Sequence, residues 1–279
     1  MKLKVWLLVL AASTAMPAAT AHQTYLISDL YKMRQGTDNF LTLRNGTFYE
    51  SGYSITRKMS RDISVVVAGV RSTPPDSEIA DVDKNPSYKS TYIKVLAEKN
   101  GTGLAGVAAH PDYIALPAEM FLDYLEHEGL ADAMAEFKAN NKRDTIRERY
   151  TKHAKGIFQV GDKLTDDFKH VLNYKAELFI DKNPGLLKVG DDVTFRALFE
   201  GKPLANQLVF ISHATRQFDS NAAVPEQSLY SIRTDSTGSG KFKITKKDKW
   251  YIQMIHMAKV SDADADYESN WSTINFEVL

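Results

Sequence analysis

Residues 191–214 read DDVTFRALFEGKPLANQLVFISHA and contain two segments typical of β-strands separated by the turn Gly201-Lys202-Pro203. The same β-branched and aromatic pattern, interrupted by turn residues, recurs at even spacing on both sides. We predict strands at Tyr174–Ile180, Asp192–Glu200, Gln207–Ala214, Leu229–Thr234, Lys241–Thr245, Trp250–Ala258 and Trp271–Leu279. Evenly spaced short strands are typical of an immunoglobulin-like β-sandwich, which we place at residues 173–279.

The preceding part of the chain is also rich in β-strand signals, and we predict that residues 22–172 form a first β-sandwich domain. Asn45-Gly46 stands between two β-prone segments and favours a hairpin turn. The other expected features are strands at Asp62–Ala68 and Ser90–Ala97, a surface loop at Arg71–Ser87 and a turn at Asn100–Gly103.

A helical pattern interrupts this domain at about residues 116–157. Pro117 suits the first turn of a helix, and apolar residues follow at helical spacing up to Gly129, a typical terminator. A second stripe extends to Asn140, and a third helix is predicted from Asp144, with Ile146, Tyr150, Ala154 and Ile157 on one side. The fold class is therefore mainly β: two sandwiches, with a helical insertion in or after the first.

The composition excludes several classes of protein. The chain has 279 residues, 43% hydrophobic and 25% charged, which is the balance of a globular protein. Lys+Arg and Asp+Glu both number 35, so no excess of positive charge indicates binding to nucleic acid. The absence of cysteine excludes disulfides, thiolate metal sites and a thiol nucleophile.

Residues 1–21 have the pattern of a secretory signal peptide. A basic start is followed by the apolar run Val5–Met16, which is too short to span a bilayer, and by Ala19-Thr20-Ala21, a small-residue cleavage signal. No later apolar run reaches spanning length. We therefore expect a periplasmic or secreted protein that does not span the membrane after cleavage.

Cleavage after Ala21 would make His22 the first residue of the mature protein. A terminal histidine offers its α-amine and its imidazole to one metal ion as a chelate, and both groups lose their proton at moderate cost near neutral pH. Nitrogen ligands of this kind suit copper or nickel. A second imidazole would complete a three-nitrogen histidine brace.

The other histidines show no metal-binding spacing, so a second ligand would have to come from a distant part of the chain. His256 ends an alternating strand on the same face as Trp250, Ile252 and Met254. This position is compatible with a buried core histidine, and also with a ligand at the rim of the sheet. In the second interpretation Glu268 or Asp266 would add an oxygen ligand or support the imidazole.

Two charged clusters lie in the segment predicted to be helical. Glu126-His127-Glu128 and Arg147-Glu148-Arg149 combine acids with bases and could indicate acid–base chemistry. Such runs are more typical of solvated helix faces, and we interpret them in that way.

Several blocks together resemble one known family. They are Ala21-His22 after the signal, Tyr113–Phe121, Arg147–Tyr150, Leu187–Asp191 with Gly201–Leu204, and Trp250–Met257 with Tyr267–Trp271. Their order and combination are similar to domain-of-unknown-function family 4198, which once carried the label NikM-like, nickel-uptake-associated. Gln23 and Thr24 depart from the aspartate and aromatic residue that follow the histidine in the family. The resemblance implies an exported, largely β protein that handles a transition metal.

These observations predict a non-enzymatic protein with no catalytic residues. It would bind copper or nickel for uptake or homeostasis through His22, His256 and Glu268, and an inner- or outer-membrane transporter would be its protein partner. An alternative is a non-catalytic structural or interaction module of the envelope without metal. A third is a copper oxidase of polysaccharides built on the same histidine brace.

Overall fold

The computed structural model describes residues 23–28, 30–49, 51–85, 88–96, 98–216 and 222–279. Strands dominate the described chain. The strands before the helices are β1 (Gln23–Ser28), β2 (Lys32–Met33), β3 (Asp38–Gly46), β4 (Ser51–Tyr53), β5 (Ser60–Val67), β6 (Val70–Ser72), β7 (Ile79–Asn85), β8 (Tyr88–Leu96), β9 (Gly101–Ala109) and β10 (Asp112–Pro117). The helices α1 (Ala118–His127) and α2 (Ala131–Asn140) follow.

The remaining elements form the second half of the fold. They are β11 (Thr145–Val160), β12 (Ala176–Ile180), β13 (Asp192–Phe199), β14 (Lys202–Pro203), β15 (Leu208–His213), the single turn α3 (Val224–Gln227), β16 (Tyr230–Arg233), β17 (Ser239–Lys243), β18 (Asp248–Lys259) and β19 (Tyr267–Val278). All seven strands predicted for residues 173–279 are present in this set.

A ten-stranded sheet forms the centre of the described structure, in the order β16-β15-β18-β19-β11-β9-β5-β6, with β10 and β2 also paired to β11. A second sheet contains β1-β3-β8-β7 with β4, and a third contains β12-β13-β14 with β17. Most strand pairs are antiparallel, whereas β11 runs parallel to β19 over Glu148–Gly156. This parallel pair joins the two halves of the chain.

Alternating side chains bury both faces of the central sheet. Ile252, Ile274 and Phe276 pack with Phe195 and Phe242 of the third sheet in one core. Residues of the opposite face, including Val65, Val107 and Phe158, pack with Leu26 and Leu43 of the second sheet in another core. The fold is therefore mainly β, as predicted, and its two sandwich layers share the central sheet, which was not predicted.

Three local predictions for the first half were wrong. Asn45-Gly46 lies within β3, and the connection to β4 follows it. The expected turn Asn100–Gly103 overlaps the start of β9, a strand that is buried from Gly101 to Ala108. The expected loop Arg71–Ser87 contains the whole of β7, which pairs with β8 and lies at the edge of the second sheet.

The predicted third helix is instead the strand β11. Ile146, Tyr150, Ala154 and Ile157 fit helical spacing, but the segment also contains the β-branched and aromatic residues that favour strands. The strand pairs with β19 on one side and with β9 and β10 on the other, so its backbone groups are satisfied in the sheet. The helical insertion therefore ends at Asn140 and not at Ile157.

The helices α1 and α2 form a hairpin that packs on the central sheet. Phe121 of α1 contacts Phe137 of α2 and Tyr267 of β19, with ring centroids 5.5 and 5.0 Å apart. Their apolar side chains share a core with Ile255 and Trp271. The hairpin thus covers part of the same sheet face as β1.

The predicted domain boundary between residues 172 and 173 remains a prediction. The central sheet continues across it, because β11 precedes the boundary and β19 follows it. No helix among the described residues combines the length and apolar character needed to cross a membrane.

Candidate functional site

His22, the first predicted ligand, lies outside the described residues. The strand that follows it, β1, is buried at every position from Gln23 to Ser28. It pairs with β3 from Gln23↔Gly46 onward. β1 is also bonded to the central sheet, because the hydroxyl of Thr273 in β19 donates a hydrogen bond to the carbonyl oxygen of Thr24 at 2.6 Å. The chain is therefore fixed in the core from residue 23.

His256 lies half-buried in β18. Its Nδ1 is 3.1 Å from Oε1 of Gln207, and its ring centroid is 4.4 Å from that of Phe199 in β13. Burial lowers the pKa of the imidazole, and the charges of Glu268 and Lys175 act on it in opposite directions. It faces the third sheet, as the alternation of β18 predicts.

Glu268 is the centre of an ion-pair network. Its Oε2 accepts from the Arg149 guanidinium at 2.5 Å, and its Oε1 accepts from the Lys175 ammonium. Burial raises its pKa, but the hydrogen bonds from Lys175 and Arg149 outweigh this effect and hold the pKa at about 2. Asp266, the other acidic candidate, accepts two hydrogen bonds from the Arg147 guanidinium. Both carboxylates therefore already have positively charged partners.

The two faces of the central sheet separate these residues from β1. His256 and Glu268 interact with Phe199 and Lys175, which belong to the layer formed by the third sheet. β1 lies against the opposite face, where the Asn275 amide donates to the carbonyl of Leu26 at 3.0 Å. The structure therefore brings His256 near Glu268 and places both across the sheet from β1.

Another group of polar side chains is buried on the face that β1 and the helices cover. We define the buried carboxylate cluster as Tyr124, Glu128, Glu148 and Lys152. Oε1 of Glu148 accepts from the hydroxyl of Tyr124 at 3.2 Å and from the hydroxyl of Ser269. Burial raises the pKa of Glu148 to about 7, although these hydrogen bonds and Lys152 oppose the shift.

Glu128 directly follows the last residue of α1, as its C-cap, and is only 4% exposed. Burial raises its pKa to about 8, against the lowering effect of the positive charge of Lys152. Glu128 is one helical turn beyond Tyr124, so the two side chains project from the same face of the helix.

Lys152 connects the cluster to the strands that hold β1. Its ammonium donates to Oδ1 of Asn45 at 2.9 Å, and Asn45 pairs with Thr24 in the second sheet. The ammonium also lies 5.4 Å from the ring centroid of Trp271, on which Tyr124 is stacked. Burial lowers the pKa of Lys152 to about 8 in spite of Glu128 and Glu148.

With this geometry in place, comparison with known proteins identifies the family. The family model for DUF4198, a domain of unknown function, matches residues 19–258. The chain belongs to the DUF4198 family. The match extends over both halves of the fold and confirms the resemblance seen in the sequence. Among curated proteins, no sequence matches this DUF4198 chain.

Solved structures similar to the DUF4198 chain are remote. The D0-D1 domain of intimin is 14% identical, with 90% of this chain and 96% of that chain covered and a TM-score of 0.20. The Yersinia pseudotuberculosis adhesin InvE is 10% identical, covering 90% and 58%, with a TM-score of 0.21. The Ig1-2 module of Drosophila receptor protein tyrosine phosphatase DLAR is 12% identical, covering 91% and 99%, with a TM-score of 0.19. At such TM-scores these similarities support no functional argument.

Sequence reasoning missed the buried carboxylate cluster of this DUF4198 chain. It assigned Glu128 and Glu148 to solvated helix faces, which was wrong for both, since Glu128 is 4% and Glu148 2% exposed. Alternation would have revealed Glu148 once β11 was recognised as a strand, because Ile146 and Glu148 share its buried face. Nothing in the local sequence of Glu128 signals its burial.

Within the part of the chain that the structure describes, no group of three His, Asp or Glu side chains is close enough together to hold a metal ion. His22 is outside that part. Side-chain oxygens on the β1 side of the sheet include the carboxylates of Glu128 and Glu148 and the buried oxygens of Gln23, Thr24 and Asn275 that have no hydrogen-bond partner.

Proposed function

We propose that this DUF4198 protein is exported and that its mature form binds one copper or nickel ion through His22, in metal uptake or homeostasis. The α-amine and the imidazole of His22 would form the chelate, which requires cleavage after Ala21. A site made in this way would exist only after export, so it could not sequester metal in the cytoplasm. A membrane transporter would be the partner that exchanges the ion.

The burial of β1 is the observation that supports this proposal. Gln23, the residue directly after His22, is 6% exposed and paired with Gly46. A terminal chelate on a frayed end would have to order the chain before it could bind, at a cost of about 1–2 kcal/mol for each residue. Here the chain is already ordered from Gln23, so little of that cost remains.

The remaining ligands are a separate part of the proposal. His256 and Glu268 are the ligands predicted from sequence, and they lie close to each other. Their position on the other face of the central sheet from β1 makes them the less favourable choice for an ion held next to Gln23. The variants His256→Ala and Glu268→Gln test them directly in the titration below.

The test is a Cu(II) titration followed by electron paramagnetic resonance. Protein processed to begin at His22 is compared with the same protein carrying one additional N-terminal residue, which abolishes the terminal chelate and leaves every side chain in place. We expect one tight equivalent with a nitrogen-rich spectrum in the first protein and its loss in the second. Equal, weak binding in both would overturn the proposal and favour an envelope module without metal.

A further inference from the structure

We propose that a cleft between the central sheet and the third sheet binds a small hydroxycarboxylic acid. The carboxylate of this ligand would pair with Arg61, and its hydroxyl group would donate a hydrogen bond to His153. The cleft and β1 lie on opposite faces of the central sheet, so this site is separate from an ion held next to Gln23. The two proposals can therefore fail independently of each other.

The cleft has the size and the lining of a small-molecule site. Its volume is about 720 Å³, which falls in the range of ligand pockets. The buried side chains of His153, Tyr174 and Glu177 line its inner part. The exposed side chains of Arg61 and Tyr113 line its outer part. A ligand that enters from solvent would therefore meet polar groups that the fold holds away from bulk water.

The imidazole of His153 provides a buried acceptor without a donor. Its Nδ1 donates to the carbonyl oxygen of Trp271 at 3.0 Å, so Nε2 of the neutral ring carries a lone pair. Nε2 is buried and has no hydrogen-bond partner among the described residues. An unpaired buried acceptor is costly and calls for an explanation in a native fold. Because His153 lines the cleft, a donor group on a bound ligand would satisfy Nε2.

Arg61 provides a positive charge that is open to a ligand. The pairing of β5 with β9 shifts by one residue between Ser60 and Asp62, so Arg61 is the additional residue of a β-bulge. Bulges redirect side chains and are frequent next to functional sites. Asp62 pairs with Arg71, and no carboxylate in the described part of the chain forms an ion pair with Arg61. A carboxylate fits this group, because a guanidinium binds it through two parallel hydrogen bonds.

The other charged groups of the cleft already pair with one another. Glu268 accepts hydrogen bonds from both Arg149 and Lys175. The Lys175 ammonium also lies 3.8 Å from Oε1 of Glu200, and Glu177 pairs with a buried lysine at 3.3 Å. These pairs balance the charges of the inner part. The exposed guanidinium at the rim is therefore the group that selects a negatively charged ligand.

The donor that meets His153 should be a neutral hydroxyl group. Burial lowers the pKa of this imidazole, and the positive charges of Arg61 and Lys175 act in the same direction. The same charges oppose an ammonium group or a metal ion at Nε2. An amino acid would bring an ammonium group to this position, whereas a hydroxycarboxylate donates its hydrogen bond without adding positive charge.

The experiment uses protein that begins at residue 22 and measures binding of malate, succinate and aspartate by isothermal titration calorimetry. These three acids share one carbon skeleton and differ in carrying a hydroxyl group, a hydrogen atom or an ammonium group at the same carbon. We expect malate to bind, and succinate to bind at least about ten-fold more weakly because it leaves Nε2 unpaired. Aspartate should also bind more weakly than malate. Citrate and gluconate extend the series to larger hydroxy acids.

Variants test the two contacts separately. Arg61→Gln removes the positive charge at the rim, and we expect malate to bind at least about ten-fold more weakly to it. The matched control is Arg34→Gln, the same change at an exposed position outside the cleft, which should match wild type. His153→Asn keeps an amide N–H for the carbonyl of Trp271 and removes Nε2. It should therefore reduce the preference for malate over succinate.

The comparison of ligands on the wild-type protein keeps the test decisive even if His153→Asn does not fold. Equal affinities for malate and succinate would refute the contact with His153. Tighter binding of aspartate than of malate would refute the ligand class, because the preferred donor would then be an ammonium group. An equal loss in Arg61→Gln and Arg34→Gln would refute the contact with Arg61. If malate, citrate and gluconate all fail to bind at millimolar concentration, the whole proposal is wrong.

Discussion

His153 is a buried imidazole that the fold keeps neutral. It is 2% exposed in β11, and its Nδ1 is 3.0 Å from the carbonyl oxygen of Trp271. Burial lowers its pKa to about 4, and the positive charges of Arg61 and Lys175 act in the same direction. A carbonyl oxygen can only accept a hydrogen bond, so Nδ1 of His153 carries the proton and donates to Trp271, which fixes the neutral tautomer.

This imidazole should make the fold sensitive to acid. Between pH 6.5 and about 4 the unfolded chain binds a proton at His153 that the folded chain does not, so stability falls as the pH decreases through this range. The loss attributable to His153 is on the order of 3 kcal/mol at full extent. We expect the free energy of unfolding, measured with urea at pH 7, 5 and 4, to decrease less with falling pH in His153→Gln than in wild type. Parallel decreases would show that His153 does not contribute.

Glu128 shows why single residues of the site could not be predicted from sequence. Its neighbours His127 and Gly129 indicate a helix end, which is correct. Whether such an end is solvated depends on what packs over it, and here the hairpin of α1 and α2 places it against the central sheet. By contrast, His22 could be predicted as a metal ligand from the cleavage signal alone. Cleavage after Ala21 frees its α-amine next to its imidazole, and this does not depend on how the chain folds.

The glycines of β9 illustrate packing at the scale of a strand. A Cβ at Gly103 would lie 2.3 Å from ring atoms of Phe158, and one at Gly106 would lie 2.1 Å from Cδ1 of Leu172. Such distances require the neighbours or the backbone to shift. These positions are occupied by glycine because Phe158 of β11 and Leu172, which precedes β12, pack directly on the backbone of β9. From the sequence alone, the glycines at the start of this strand were interpreted as part of a turn.

Replacement of Gly103 by alanine should therefore destabilise the protein. We expect Gly103→Ala to reduce the free energy of unfolding by about 1–3 kcal/mol, the usual cost of overpacking. Gly52→Ala is the control, because a Cβ at Gly52 would meet no atom within 4 Å. It should change stability by no more than about 0.5 kcal/mol. Equal effects in chemical denaturation would refute the packing explanation.

The strand β11 shows where periodicity alone is ambiguous. Spacings of four and three residues between Ile146, Tyr150, Ala154 and Ile157 suit a helix, while Ile146, Glu148 and Tyr150 alternate as in a strand. Tertiary pairing decided between them, since β11 is hydrogen-bonded on both sides. In residues 173–279 the turns are frequent and the segments short, so the same ambiguity did not arise there.

At the scale of the molecule, the sequence predicted the layers but not their connection. Local alternation is sufficient to identify the strands of each half and the class of fold. The parallel pairing of β11 with β19 joins residues as distant as Glu148 and Tyr267, and no local pattern contains that information. The buried carboxylate cluster depends on this connection, because α1, β11 and β19 all contribute to its surroundings.

The continuous central sheet makes the second sandwich depend on the first. Its core includes Val66, Leu104, Ala108 and Ile157, all from strands that precede residue 173. A fragment of residues 173–279 would expose this apolar surface and leave β19 without its partner β11. At about 25 cal/mol for each Å² of apolar surface, the exposure of several such side chains removes several kcal/mol from a fold of marginal stability.

We therefore expect residues 22–279 to unfold in one cooperative transition and the fragment 173–279 not to fold alone. Trp250 reports on the core shared with the third sheet, and Trp271 on the core beneath the helices. In two variants, one of these tryptophans is replaced by phenylalanine, so that the fluorescence of the other is observed alone. After correction for the different stabilities of the variants, we expect the two urea transitions to coincide. The fragment should give a poorly dispersed amide spectrum in nuclear magnetic resonance. A well-dispersed spectrum of the fragment would contradict this expectation. It would mean that the C-terminal strands bury enough apolar surface to fold without β11, and that the boundary at residue 173 separates two independent domains.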